Sequence, residues 1–242
     1  MTKLSALNSV VHSQSGLPIG PELDASPARR PDRTILRGRL VTIAPLDPAG
    51  HADALYAGTH GRDQDKLWLY LAEGPFPDRA SFCAYLESRA RSDDPLSFAI
   101  VLNATGKAAG HASYMRITPE HRVIEVGNIF YTPALVRSAA GTEAMYLMAK
   151  HVFEDLGYRR YEWKCNALNE DSRRAALRLG FSFEGIFRQH MIQKGRSRDT
   201  AWYSMLDREW PRRKARFENW LSPENFDAAG RQRNRLSSVG LQ

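Results

Sequence analysis

The stretch CNALNEDSRRAALRLGFSFEG, residues 165–185, predicts the end of one strand, a short helix and the start of another strand. Asn169 stands where an N-cap side chain accepts a hydrogen bond from a backbone N–H of the first helical turn. Gly180 stands where a left-handed residue closes a helix. Small or apolar residues recur at helical spacing between these ends, at positions 172, 175, 176 and 179. One face of this helix is therefore expected to pack on a sheet.

A longer helix precedes this unit, over about residues 142–156 of the stretch TEAMYLMAKHVFEDLGYRRYEWKC. Its apolar residues lie three or four positions apart, and Gly157 supplies the stop. The following segment, RRYEWKC, alternates aromatic and cysteine side chains with charged ones. This alternation predicts a strand with one buried face.

The elements nearer the N-terminus follow the same kind of pattern. A strand covers about residues 35–46, and two helices follow with Asp47 and Asp78 as N-caps. Three strand-like runs then come one after another, with connections short enough for an antiparallel meander. They are residues 96–103, 108–118 and 122–132, and two last strands follow the short helix at 181–193 and 199–206.

Three segments are expected along the chain. Residues 1–33 lack a hydrophobic period and predict an irregular extension, residues 34–207 form the folded domain, and residues 208–242 form a helical, basic tail. Each end of the chain carries an excess of about three positive charges, which accounts for most of the net charge of +7. Because the body is almost neutral, nucleic-acid binding is a minor expectation.

The composition excludes several classes of protein. A chain of 242 residues with 43% hydrophobic residues can bury one sizeable core, and it has no apolar run of membrane-spanning length. The two cysteines form no CxxC pair, and the start of the chain has no secretory pattern, so a cytoplasmic protein without membrane contact is expected. The seven histidines show no metal-binding spacing, and no metal site is predicted.

The order of elements, together with NEDSRRAALRLGF, EVGNIFYTPAL and the long helix, resembles the GNAT superfamily of acyl-CoA-dependent N-acyltransferases. The branch that it most resembles includes the bacterial ribosomal-protein N-terminal acetyltransferases. The resemblance covers about residues 35–207. It implies an α/β fold in which a mixed, mainly antiparallel twisted sheet of six to seven strands is flanked by helices. It also implies that the fourth and fifth strands splay apart.

In such proteins the pantetheine arm of acetyl-CoA inserts at the splay. By resemblance, Asn169 contacts this arm, Ser172 lies near the thioester, and a backbone N–H near Ile129, Phe130 or Tyr131 meets the oxyanion. The pyrophosphate rests on the N-terminus of the long helix, where free N–H groups favour anions. The matching loop is VRSAAG, residues 136–141, in which only the last glycine fits the family pattern. The cofactor-binding residues there are Arg137, Ser138, Ala139, Ala140, Gly141 and Thr142.

Glu125 lies on a strand where many relatives carry a glutamate that receives the proton of the amine. It can also be an exposed strand residue or a carboxylate that orients the acceptor. Ala176 occupies the position at which many relatives carry a tyrosine that protonates the leaving thiolate. The acid is therefore Ser172, Tyr131 or water. Trp68, Tyr70 and Phe76 fall in the segment that builds the acceptor pocket in the family, or else they pack in the core.

The sequence thus predicts an N-acetyltransferase that moves an acetyl group from acetyl-CoA to a primary amine by direct attack in a ternary complex. The acceptor is a protein N-terminus or a small amine, and the protein is a monomer or a homodimer. Two other classes stay open. One is an acyl-CoA-binding module with little catalysis, and the other is a binding protein associated with ribosomes or nucleic acid.

Overall fold

An eight-stranded mixed sheet forms the centre of the molecule, in a computed structural model that describes residues 9–61 and 64–236. Parts of the expected N-terminal extension and C-terminal tail, residues 1–8 and 237–242, lie outside the described residues. A separate hairpin joins β1 (Val10–Val11) to β2 (Pro18–Ile19) in the N-terminal segment. The strands of the large sheet, in spatial order, are β3 (Leu36–Arg37), β4 (Val41–Pro45), β5 (Leu96–Leu102), β6 (Ala108–Thr118), β7 (Val123–Tyr131), β8 (Arg160–Asn166), β10 (Arg196–Leu206) and β9 (Ser182–Gln193).

All neighbouring strands of this sheet run antiparallel except β7 and β8, which run parallel. The expected mixed, mainly antiparallel sheet is confirmed. A parallel pair needs a long crossover, and the chain between β7 and β8 contains α3 (Ala139–Lys150), which a wider helical turn extends through Asp155. The long helix predicted in this part of the chain is therefore the crossover element.

The sheet is covered by helices on both faces. One face carries α1 (Pro48–Thr59) and α2 (Arg79–Arg91), whose apolar residues form one core cluster with Ala99 of β5. The other face carries α3, α4 (Glu170–Arg178) and α5 (Trp210–Leu221), which form a larger cluster with Phe98 and Ile100. Successive residues of β5 thus enter opposite cores, as the twofold repeat of a strand requires. The sheet therefore lies between two layers of helices, with one hydrophobic core on each of its faces.

The predicted strand over residues 35–46 is two strands, which brings the sheet to eight strands rather than six or seven. β3 and β4 form a hairpin with a turn at residues 38–40. The carboxylate of Glu143, buried at the start of α3, accepts hydrogen bonds from the backbone N–H groups of Arg39, Leu40 and Val41. A Cβ on Gly38 would lie 2.5 Å from this carboxylate. The turn therefore depends on a contact that is remote in the sequence.

The prediction of one buried face for β8 is wrong, because both faces are covered. Tyr161, Trp163 and Cys165 pack in the core beneath α3 and α4. On the opposite face, Glu162 is 6% exposed and the side chain of Lys164 is 4% exposed. Alternating charges usually indicate solvent, but here they form ion pairs in the interior. That interior face of β8 is where the candidate site lies.

The C-terminal helix α5 packs on the body of the protein. Trp210, Phe217 and Trp220 are buried, and the first two contact Tyr146 of α3. Within the described part of the chain, no helix is long and apolar enough to cross a membrane.

Candidate active site

The parallel pairing of β7 and β8 stops while both strands continue. Cα partners run from Val123 and Arg160 to Val126 and Trp163, and then the ladder ends. β7 goes on to Tyr131 and β8 to Asn166, so the strands splay apart. A cavity of about 210 Å³ opens at this splay. Backbone groups of both strands are left there without partners in the β7–β8 ladder, and a bound ligand can pair with them.

The splay begins at a bulge in β7 that a buried histidine holds. Asn128 has a left-handed backbone with φ of 51°, and the pairing of β6 with β7 shifts register there. Nδ1 of His111 donates to the carbonyl oxygen of Asn128 at 2.8 Å, and the imidazole stacks on Phe130 with ring centroids 4.9 Å apart. Burial lowers the pKa of His111 to about 4. The imidazole is therefore neutral at physiological pH and serves as a fixed donor.

Glu125 lies in the cavity and is 3% exposed. Nη1 of Arg116 contacts its Oε2 at 2.6 Å, and Nζ of Lys164 contacts the same oxygen at 3.0 Å. Among the described residues, no group donates a hydrogen bond to its Oε1. One oxygen is thus held by two cations, and the other is left for a ligand.

Lys164 links Glu125 to a second carboxylate. Its Nζ contacts Oε2 of Glu162 at 2.6 Å and lies 3.8 Å from the ring centre of Trp202. Glu162 also contacts Nε of Arg160 at 2.6 Å. This chain of alternating charges compensates the burial of its members, because each charge has an opposite neighbour. It fixes the carboxylate of Glu125 at the splay.

The start of α4 forms another wall of the cavity. Oδ1 of Asn169 accepts a hydrogen bond from the backbone N–H of Ser172 at 3.1 Å, so Asn169 is the N-cap. Oγ of Ser172 accepts a hydrogen bond from Nε1 of Trp163 at 3.0 Å, which leaves the hydroxyl proton of Ser172 to be donated. Both side chains line the cavity. Ala176, one helical turn further on, is fully buried.

The N-terminus of α3 presents free backbone donors. Ser138 is the N-cap, and its Oγ accepts a hydrogen bond from the N–H of Gly141 at 3.0 Å. Among the described residues, the N–H groups of Arg137, Ala139 and Ala140 have no acceptor. Arg137 has φ of 56°, which turns the chain into the helix. Adjacent free N–H groups at the start of a helix form an anion site through the helix dipole. Thr142 lies one turn in, where its Oγ1 accepts from Arg178.

The three adjacent residues at the end of β7 have different surroundings. The side chain of Ile129 lines the cavity, whereas Phe130 is buried against His111. The hydroxyl of Tyr131 donates to the carbonyl oxygen of Gly141 at 3.2 Å, and burial raises its pKa well above the usual value. Tyr131 is therefore a poorer acid than a free tyrosine, and its side chain is bound to the helix start.

Of the three aromatic residues expected in the acceptor pocket, the structure brings one to the cavity. Tyr70 lines it, and its hydroxyl donates to the carbonyl oxygen of Leu168 at 3.3 Å. Trp68 is 1% exposed, and its Nε1 donates to the carbonyl oxygen of Thr59. Phe76 packs edge-on against Trp68 with ring centroids 5.3 Å apart. These two residues belong to the aromatic core beneath α1 and α2.

The hairpin tip between β9 and β10 contacts the loop after α1, part of which lines the cavity. Nζ of Lys194 donates to the carbonyl oxygens of Trp68 at 2.7 Å and of Gly74 at 2.5 Å. Nε2 of Gln193 donates to the carbonyl oxygen of Tyr70 at 3.1 Å. The hairpin therefore binds the loop that follows α1 through charge-assisted hydrogen bonds.

A family model described as an acetyltransferase (GNAT) domain matches residues 41–182. The chain belongs to the GNAT acetyltransferase family. A crystal structure of a GCN5-related N-acetyltransferase from Brucella melitensis is 48% identical and has a TM-score of 0.87, covering 88% of this chain and 97% of that one. The match therefore includes both the sheet and the flanking helices.

Two proteins of Bacillus subtilis (strain 168) are similar to this GNAT protein in sequence. YdaF, provisionally named a ribosomal N-acetyltransferase, is 29% identical over 62% of this chain and 82% of its own length. The N-acetyltransferase YoaA, described as uncharacterized, is 30% identical over 42% of this chain. That match spans 57% of YoaA.

The positively charged side chains of this GNAT site were not predicted from the sequence. Arg116, Lys164 and Arg198 all line the cavity, and none was expected there. The sequence did contain a signal for Lys164. It lies between Trp163 and Cys165 on a strand next to the predicted splay, so its side chain must point to the opposite face of that strand. Arg116 and Arg198 each lie next to an irregularity in strand pairing, at which the side-chain direction cannot be read from the sequence.

Proposed function

We propose that this GNAT protein transfers the acetyl group of acetyl-CoA to a primary amine, by direct attack of the amine on the thioester. The observation that carries the proposal is the splay of β7 and β8, with a cavity at the splay and a row of free N–H groups at the start of α3. A thioester with a long polar arm and a pyrophosphate fits these features, because the arm can pair with the open strand edges and the anion with the helix start.

The residues around the thioester have separate roles in this proposal. The amine nitrogen attacks the carbonyl carbon, the new C–N bond forms, and the C–S bond breaks. Glu125 takes the proton of the amine through Oε1, while Arg116 and Lys164 hold the carboxylate by its other oxygen. Ser172 gives its hydroxyl proton to the departing thiolate, and the proton that Glu125 took from the amine returns to Ser172 through water. General acid–base steps of this kind contribute about 10²- to 10⁴-fold to a rate.

Direct transfer is also supported by the state of Cys165, the cysteine beside the cavity. Burial raises the pKa of its thiol, which disfavours the thiolate that an acyl-enzyme route would need. Cys165 is 6% exposed and packs in the core with Trp163. We therefore assign it to packing. Replacement by alanine should leave the transfer rate within about twofold, in contrast to the loss of a nucleophile.

The experiment that tests the proposal is a calorimetric titration with acetyl-CoA, followed by an assay of thiol release with a panel of amines. The expected result is stoichiometric binding in the micromolar range and amine-dependent release of CoA. Asn169→Asp is the matched variant, because aspartate keeps the N-cap of α4 but removes the amide donor that faces the cavity. It should weaken acetyl-CoA binding about tenfold. No binding of acetyl-CoA, checked at a second temperature, would overturn the proposal.

A further inference from the structure

The cavity carries more positive than negative charge on the face of the sheet that bears α1 and α2. Among the described residues that line it, Glu125 is the one carboxylate, while Arg116, Lys164 and Arg198 are cations. Lys164 is accounted for, because it lies between two carboxylates. Arg116 shares Glu125 with it. The third cation, Arg198, has no carboxylate within 4 Å among the described side chains.

The guanidinium of Arg198 is held in place, but not all of its hydrogen-bond donors have an acceptor. Its Nη1 donates to Oε1 of Gln193 at 2.6 Å, which orients the guanidinium at the hairpin tip. Its Nε is buried and has no hydrogen-bond partner in the described structure. Burial lowers its pKa, which shows the cost of keeping the charge there without a counter-ion. A buried donor of this kind is stabilised when an anionic ligand supplies the missing acceptor.

The position of Arg198 relates it to the acceptor rather than to the pyrophosphate. The anion site at the start of α3 is built from residues 137–140, none of which lines the cavity with Arg198. Arg198 instead lines the cavity at the splay, together with Tyr70 and Leu71 of the loop after α1 and with Met191, its strand partner on β9. Glu125 and Arg198 line the same cavity. One ligand can therefore place an amine at Glu125 and an anion at Arg198.

We propose that the acceptor is an amine with a carboxylate a few bonds away, which Arg198 binds with help from Arg116 while Glu125 faces the amine. This inference rests on the proposed function. Two sources provide this chemistry: the α-carboxylate of a free amino acid, or an acidic side chain next to the N-terminus of a peptide. Guanidinium groups suit both, because their planar fork pairs with carboxylates through two hydrogen bonds.

The test compares acceptors that differ only in the acid. One pair is an amino acid and its amide, and the other is a short peptide with Glu or Gln as its second residue. The ratio kcat/KM is referred to the unprotonated amine, because amidation lowers the pKa of an amino acid's amine. We expect the acidic member of at least one pair to be preferred about 10- to 100-fold. The preferred pair identifies the source of the carboxylate.

Variants connect the preference to the arginine. Arg198→Gln should abolish the preference through a higher KM for the acidic acceptor, with the affinity for acetyl-CoA unchanged. Arg198→Lys should keep part of it, since the charge remains and the fork is lost. Arg196→Gln is the control, because Arg196 lies on the same strand, is exposed, and does not line the cavity. It should leave the preference as it is in the parent protein.

The failures of the two proposals differ. Equal use of acidic and neutral acceptors by the parent protein would overturn this inference and leave the proposed transfer intact. A preference that survives in Arg198→Gln would also overturn it. Absence of transfer to every amine, in spite of acetyl-CoA binding, would overturn the proposed function and this inference with it. The parent protein alone decides the first outcome, so a poorly folded variant does not remove the test.

Discussion

The two ends of the candidate site, the start of α3 and the cavity at the splay, are built from different kinds of groups. At the start of α3, the donors are the backbone N–H groups of residues 137, 139 and 140, which every residue type except proline supplies. At the other end, which we call the acceptor end, the charged groups of the cavity are the side chains of Glu125, Lys164, Arg116 and Arg198. A backbone site tolerates sequence change, whereas a side-chain site changes with every substitution. This contrast fits an acyl donor that is common to the family and an acceptor amine that is specific to this protein.

The largest effect is expected at the acceptor end, from Glu125→Gln. Turnover should fall about 100-fold or more because the amine loses its proton acceptor, while the affinity for acetyl-CoA stays unchanged. Steady-state kinetics and a titration measure the two quantities separately. Glu120→Gln is the control, since Glu120 is exposed and lies outside the cavity. If Glu125→Gln keeps near-normal turnover, Glu125 has no part in proton transfer and only orients the acceptor.

The backbone end can be tested without removing any functional side chain. Ala139→Pro deletes one free N–H at the first position of α3, where proline is well tolerated. The preceding residue, Ser138, is already extended with ψ of 161°, as a residue before proline prefers. Acetyl-CoA affinity should fall about tenfold, and the folding stability should be kept. Unchanged affinity would mean that this N–H does not bind the cofactor.

A companion variant shows how much a side chain adds at the same end. Arg137→Ala removes an exposed guanidinium next to the free N–H groups. If the backbone dominates, it should weaken acetyl-CoA binding less than Ala139→Pro. The reverse order would contradict the contrast between the two ends.

A smaller effect is expected where the hairpin tip binds the loop after α1, which lines the acceptor end. Lys194→Met removes the ammonium that binds three carbonyl oxygens of the loop after α1, those of Trp68, Glu73 and Gly74. The KM for the acceptor should rise about fivefold, because the loop is less well fixed, while the KM for acetyl-CoA stays the same. Equal changes in both constants would show that the hairpin supports the whole cavity. Lys107→Met, at an exposed turn, is the control.

The smallest effect concerns His111, which holds the bulge in β7 where the splay begins. Its pKa is lowered to about 4 by burial, and the charge of Arg89 contributes in the same direction. Between pH 6.5 and 4 the unfolded chain therefore binds a proton that the folded chain does not, and the free energy of unfolding falls as the pH falls. Denaturation at pH 7 and pH 5 measures this loss, which should be about 2 kcal/mol.

The matched variant for this measurement is His111→Asn. Its amide nitrogen can replace Nδ1 as the donor to the carbonyl oxygen of Asn128, but it does not titrate. The dependence of stability on pH should be flatter in this variant than in the parent protein. Identical slopes would assign the loss of stability in acid to other groups.

The contrast between the ends also explains what the sequence could predict. The order of strands and helices and the N-cap Asn169 could be predicted, because hydrophobic spacing and capping residues are local features of the sequence. The start of α3 at Ala139, with Ser138 as its N-cap, lies three residues before the predicted start. The splay and the helix start follow from that order and from the family resemblance. The ionic acceptor end depends on which face of β8 Lys164 occupies, and on what covers that face. Burial of alternating charges is a tertiary outcome that periodicity does not reveal.

Two features that the sequence does not decide have the same cause. The turn at residues 38–40 depends on Glu143, which is over a hundred positions away in the sequence. Trp68 and Phe76 were placed correctly in the loop after α1, but their rings point into the aromatic core rather than the cavity. In each case the sequence locates the segment, and long-range packing decides its partners. The limits of the folded domain, at residues 34 and 207, stay a prediction from the sequence.

The most direct test of the account is mass spectrometry of a single reaction that contains acetyl-CoA and a peptide with an acidic second residue. The account predicts one acetyl group on the α-amine, with one CoA released for each peptide modified. Release of CoA without a modified amine, or an acetyl group that stays on the protein at Cys165, would contradict direct transfer from the cofactor to the amine at this site.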